Sequence, residues 1–271
     1  MQEDDTLWDL DKTLDVAERK WQSLMRRWGL DDIADSYNNY HDLMVLIEAK
    51  RNEWSVDYWE RRRPYWNYCE LRKSVYMDII KKYLIRKGES ANDKDIASVA
   101  KTLSDESFDV WLSARHEVAW FEGAIVTLRA IKQRYPELLL GAVSNGTTDL
   151  DRIPEAEGLF DYSANALDAD CNKPEIYLEA IKAANAVPPV APEETVFIGD
   201  DFLNDVCGPT KVGLKTIWMN AKHRPMTTPE LITEKARPGY KKDGYSVKPT
   251  RTIMDIRQLI DALDDLQVSL A

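Results

Sequence analysis

Three groups of polar residues stand where this chain's apolar runs end or a helix begins. Ser144-Asn145-Gly146 follows Leu138-Leu139-Leu140-Gly141-Ala142-Val143. Gly199-Asp200-Asp201 follows Thr195-Val196-Phe197-Ile198, with Asp205 four residues further on. Lys173-Pro174 opens the stretch Pro174 to Ala184, which reads as a helix. They offer a hydroxyl, an amide, three carboxylates and an ammonium. Open α/β sheets bind ligands just outside the carboxyl ends of their strands. Each group has a plainer reading: a tight turn, a capped helix, a solvated lysine. Their order and spacing taken together are more specific than any one of them.

Strands and helices must position these groups, and the chain changes texture to supply them. From Leu14 to Trp120 it reads as helix. Leu14, Ala17, Trp21, Leu24, Met25 and Trp28 recur every three or four residues, one apolar face. Eight of the nine tryptophans lie in residues 1–120, which suits a packed helical bundle. After Trp120 strands and helices alternate. Gly123 to Arg134 reads as a helix and Lys215 to Met219 as a third strand. Residues 221–250 read as loop, and Thr252 to Leu266 as a closing helix. Apolar runs without in-out alternation indicate strands buried on both faces of a parallel sheet. The expected fold is α/β: a Rossmann-like three-layer core with an inserted all-helical domain. The core takes residues 1–13 and 121–271, the insertion 14–120.

Composition narrows the function classes. Apolar residues make up 44% and charged residues 31% of 271, which predicts an ordered chain. A net charge of −11 argues against a nucleic-acid grip, which needs a basic footprint. No apolar run approaches the roughly 20 residues of a membrane span. The start, MQEDDTLWDL, is acidic and lacks the apolar core of a secretory leader. Three scattered cysteines (Cys69, Cys171 and Cys207) make no disulfide framework, so a reducing, cytoplasmic compartment is expected. His41, His116 and His223 show no ligand spacing.

With these residues in view, the sequence resembles the haloacid dehalogenase-like superfamily, and within it the phosphatases with a helical cap. The resemblance rests on Ser144 in AVSNG, Lys173 in NKPEIYLEA, and Asp200, Asp201 and Asp205 in GDDFLNDVCGPTKVG. It implies that Ser144 and Asn145 bind a phosphoryl group, and that Lys173 neutralises its charge as a point cation. It implies Mg²⁺, a hard ion suited to carboxylates, with Asp200 as ligand and Asp201 and Asp205 completing its surroundings. The partner implied is a small phosphorylated substrate, with no nucleic acid or membrane; monomer and homodimer stay open. The cap would close over the sheet, where Trp54, Trp59, Tyr65 and Trp66 either pack the core or face the substrate.

The family's first motif is a strand ending in Asp-x-Asp-x-Thr, whose first Asp attacks phosphorus and whose second is the acid and base. Two registers compete. One makes Asp9 the nucleophile and Asp11 the acid. The other, favoured by the spacing to Thr13, Leu14 and Ala17, makes Asp4 the acid and base and drops the nucleophile position on Gln2. Both leave the first strand short of apolar residues, so a segment ahead of Asp4 is expected. The leading reading is a Mg²⁺-dependent phosphatase of small phosphomonoesters, such as nucleotide, flavin or sugar phosphates. The alternatives are a silent binding protein and a 2-haloacid dehalogenase.

Overall fold

The computed structural model describes residues 1–37, 39–61, 67–88, 93–144, 148–165, 175–186, 188–224 and 247–268. The chain divides into two compact units. One comprises Met1–Asp9, Trp120–Asn145 and Pro154–Ala271, the other Leu10–Ala119 and Gly146–Ile153.

The second unit is helical. It contains α1 (Leu10–Arg27), α2 (Asp31–Ser36), α3 (Tyr40–Arg61), α4 (Tyr68–Arg86) and α5 (Asp93–Arg115). The stripe read from the sequence is the buried face of α1: Leu14, Ala17, Trp21, Leu24 and Met25. Helix α1 starts four residues before Leu14 and ends at Arg27, followed by a turn at Gly29, whose φ of +70° suits glycine. Asn67 caps α4 by accepting from the Glu70 N–H at 3.1 Å. Helix α5 packs on both α1 and α4. Trp21 stacks on Tyr76 with ring centres 4.8 Å apart, and Trp54 joins the same core. The side chains of Trp59, Tyr65 and Trp66 lie outside those described.

The first unit is α/β. Its elements are α6 (Ala124–Arg134), β1 (Gly141–Ser144), β2 (Tyr162–Asn165), α7 (Glu175–Ala183), β3 (Val196–Gly199), a short helical turn α8 (Gly208–Lys211), β4 (Lys215–Met219), β5 (Arg251–Ile253) and α9 (Leu259–Val268). Strand β1 pairs parallel with β2, and β3, β4 and β5 pair in that order, also parallel. The N-terminal residues join the two sets. Gln2 bridges Val143 in parallel, Met1 O accepts from Val143 N at 2.8 Å, and Gln2 N donates to Ile198 O at 2.8 Å. Residues 1–3 thus run between β1 and β3, at the centre of a parallel order β2–β1–(1–3)–β3–β4–β5. Val143, Phe197, Ile176 and Tyr177 pack the core beneath β1, β3 and α7.

Three expectations need correction. Strand β1 begins at Gly141 because Leu138 closes a turn onto Tyr135 O at 3.0 Å, leaving Leu138 and Leu139 exposed. Strand β2 was not expected from its sequence. The closing helix starts at Leu259: residues 251–253 first form β5, and Asp255 then caps a single 3₁₀ turn. Residues 225–246 of the expected loop lie outside the described residues. Among the described residues, no helix is long and apolar enough to cross a membrane.

Candidate functional site

The parallel order brings three chain segments to one edge of the sheet. Ser144 is the last residue of β1 and is buried. Asp200 follows β3 directly. Asp4 stands two residues beyond Gln2, in the segment between them. The chain then turns sharply. Asp5 has a φ of +55°, a left-handed value that aspartate tolerates better than most residues. Its N–H donates to Trp8 O at 2.9 Å. Within this loop the Trp8 indole N–H donates to Asp4 Oδ1 at 2.8 Å, which orients the carboxylate. Thr6 is fully buried, and its hydroxyl has no hydrogen-bond partner among the described residues.

The Asp200 side is built by a turn of helix at Phe202–Cys207. Asp201 caps that turn, accepting from Asn204 N at 2.8 Å, and its own N–H donates to Asp205 Oδ2 at 3.1 Å. Asp205 is buried against the end of β3. A β-carbon on Gly199 would sit 2.4 Å from Asp205 Oδ2, so the glycine makes room for that carboxylate. Tyr177 on α7 donates to Asn204 O and supports the turn from below. The Trp218 indole N–H donates to Asp200 O at 2.8 Å.

Carboxylates crowd this edge. Burial pushes the Asp200 carboxyl up to about 7, the negative charges of Asp205 and Asp5 add to the shift, and Arg224 opposes it. Two cations answer the crowd. Arg224 Nη1 donates to Asp200 Oδ2 at 3.1 Å, and Lys222 Nζ to Asp5 Oδ2 at 3.0 Å. Both follow β4 in the turn Asn220–Arg224. Sequence reading missed this turn, although it stands beyond a strand end like Ser144 and Asp200.

A hard cation suits this donor set, because carboxylate oxygens whose mutual repulsion is only partly relieved surround Asp200. Among the described residues no three His, Cys, Asp or Glu side chains converge as a ready-made cage. Backbone oxygen and water would complete the shell.

The other candidates fall as follows. Asn145 and Lys173 lie outside the described residues. Asp9 precedes α1, and Asp11 lies in the first turn of α1, where its Oδ1 accepts from Tyr40 Oη at 2.5 Å. Neither stands at a strand end. The structure therefore brings Asp4, Asp200, Asp201 and Asp205 to one edge with Ser144, and places Asp11 in the helical unit.

Residues 170–240 match the HAD-hydrolase-like family. No curated protein matches the chain. Solved structures match over nearly its whole length. A 2-haloacid dehalogenase from Pseudomonas syringae pv. Tomato DC3000 aligns with a TM-score of 0.69 at 22% identity, over 98% of this chain and 96% of its own. The HAD-hydrolase YfnB from Bacillus subtilis, bound to magnesium, gives 0.58 at 18%, over 97% and 96%. A HAD phosphatase from Thermococcus onnurineus gives 0.53 at 19%, over 97% and 95%. At these identities the structural likeness shows the fold alone, that of haloacid dehalogenase-like hydrolases, and the sequence match to the HAD-hydrolase-like family is confined to residues 170–240.

Proposed function

We propose that this sheet edge is the site of a Mg²⁺-dependent phosphatase acting on a small phosphomonoester. One observation carries the reading. The pairing of Gln2 with Val143 and Ile198 sets Asp4 between the end of β1, with Ser144, and the end of β3, with Asp200. The Ser144 hydroxyl donates to a phosphoryl oxygen. Asp4, held by Trp8, would give a proton to the leaving oxygen as the phosphoryl group passes to a carboxylate at position 2, and would take one back from the water that then hydrolyses that acyl phosphate. On the resemblance, Asn145 adds a donor and Lys173 a point charge. Asp200 would hold the Mg²⁺, with Asp201 and Asp205 shaping its surroundings. When bound, the ion supplies charge neutralisation to the phosphoryl oxygens.

The register that places Asp4 here also puts an amide where the family's attacking carboxylate stands. Gln2 can donate a hydrogen bond to a phosphoryl oxygen but cannot form an acyl phosphate. That favours a second reading, a phosphomonoester-binding protein that does not turn over. The dehalogenase suggested by the Pseudomonas relative also needs the carboxylate, and it gives the Asp200 cluster no task.

Gln2→Asp tests these readings, assayed with p-nitrophenyl phosphate and Mg²⁺. The expected outcome is turnover at least tenfold above the chain with Gln2. Asp4→Asn in that background should then lower it by about 10² or more, the usual scale of acid–base catalysis. A folded Gln2→Asp chain that binds vanadate without turnover would favour the binding protein. One that binds neither vanadate nor Mg²⁺ would sink both.

A further inference from the structure

Arg224 reaches the site from a turn that is built into the sheet. The buried Asn220 side chain holds both backbone ends of Arg224. Its Nδ2 donates to Arg224 O at 2.9 Å, and its Oδ1 accepts from Arg224 N at 2.7 Å. Asn220 is anchored in turn, its N–H donating to Ile253 O on β5 at 2.8 Å. His223, within the turn, has a φ of +48° and donates its N–H to Asn220 O at 3.0 Å. The backbone at 224 is therefore fixed relative to β4 and β5, and the long side chain spans from there to Asp200.

The contact it makes is poised for exchange. Asp200 adjoins Asp201, whose N–H donates to Asp205, and this concentration of carboxylates calls for positive charge beside it. Arg224 supplies that charge through one hydrogen bond, to Oδ2, from a side chain 42% exposed. A single contact by an exposed arginine is worth little and gives way readily. A divalent ion seated at the same oxygen would bring twice the charge, and its repulsion of the guanidinium at that range favours exchange of one cation for the other.

We propose that Arg224 is the resident counter-cation of Asp200 and the antagonist of the divalent ion there, so that metal enters by displacing the guanidinium. This rests on the reading that Asp200 is the metal ligand. The Asn220 turn then sets how tightly the site holds Mg²⁺: it keeps Arg224 within reach of the carboxylate at all times, at high effective concentration. The outgoing guanidinium carries a planar fork of donors, free to meet an anionic ligand once the ion is seated.

The test uses the full chain and Mg²⁺ alone, with affinity read by isothermal titration calorimetry and repeated with Mn²⁺ by electron paramagnetic resonance. Arg224→Gln should bind the ion about tenfold more tightly, the loss of one competing contact. Arg224→Lys, which keeps the charge, should stay within about twofold of the natural chain, less than one hydrogen bond's worth of change. Asp200→Asn should weaken binding by about tenfold or more, as expected on losing a charged ligand. Circular dichroism checks that each variant is folded. If Asp200→Asn loses the ion while Arg224→Gln binds it no better than the natural chain, the antagonism is wrong and the metal reading stands. If Asp200→Asn binds as well as the natural chain, the metal reading fails and the antagonism goes with it.

Discussion

Arg72 and Arg224 each face a carboxylate, in opposite surroundings. In the helical unit, Arg72 on α4 donates to Glu18 on α1, with side chains only 4% and 2% exposed. The guanidinium lies 3.9 Å from the ring centre of Trp111 on α5, whose indole N–H donates to the same Glu18 oxygen at 3.0 Å. Tyr76 Oη accepts a further bond at 3.3 Å. Burial pushes the Glu18 carboxyl up, and Arg72 pulls against that. Once ions are this far from water, no solvent or dissolved ion can take a partner's place, and the pair holds α1, α4 and α5 in register. In the α/β unit, Arg224 and Asp200 meet at a wetter edge, where another cation can compete. The same two functional groups act as a fastener in one unit and a replaceable partner in the other, and burial makes the difference.

The comparison breaks most visibly at Arg72. Arg72→Met leaves Glu18 buried with its charge uncompensated and should cost about 3–5 kcal/mol in urea unfolding. Replacing both members, as Arg72→Met with Glu18→Leu, should recover most of that loss, because two apolar side chains need no partners. A cost below 1 kcal/mol for the single change would show that the pair is not a fastener.

A smaller effect comes from His116, at the end of the same bundle. Its Nδ1 faces Leu112 O at 2.7 Å, and its Nε2 accepts from Asp149 N at 3.0 Å. The ring is therefore neutral, protonated at Nδ1, and burial lowers its pKa below the usual 6.5. A lowered folded-state pKa means that the unfolded chain takes up the proton first. Stability is then full above about 6.5 and falls as pH drops toward the folded value. Acidification from pH 7 to pH 5 should lower stability through this group, and His116→Gln should flatten that part of the profile. An unchanged profile in the variant would remove His116 from the account.

The smallest effect belongs to Arg224. Arg224→Gln should change unfolding stability by less than about 0.5 kcal/mol, within the range of exposed pairs, while it shifts Mg²⁺ affinity as set out above. A loss of several kcal/mol would make Arg224 a second fastener and erase the contrast.

Much of the architecture was legible from local pattern. Strands β1, β3 and β4 are apolar because nearly all their residues are buried, and such runs announce themselves. Strands β2 and β5 close the two ends of the sheet. Their sequences, Tyr-Ser-Ala-Asn and Arg-Thr-Ile, meet solvent and carry no such signal. The strand ends holding Ser144 and Asp200 were found because polar residues follow apolar runs there. Spacing favoured the first-motif register with Asp4 but could not place that residue in space. The hydrogen bonds from Gln2 N to Ile198 O and from Val143 N to Met1 O put Asp4 at the sheet edge, and those are tertiary facts. Lys222 and Arg224 escaped notice for the same reason: their carboxylate partners lie 217 and 24 residues away.

The empty space at Gly199 carries a consequence for sequence drift. Any β-carbon there would press into the Asp205 carboxylate, so residue 199 cannot gain a side chain while Asp205 stays as it is. A lineage that keeps an aspartate at 205 is confined to glycine at 199. One that accepts a side chain at 199 must first give up the bond from Asp205 to the Asp201 N–H.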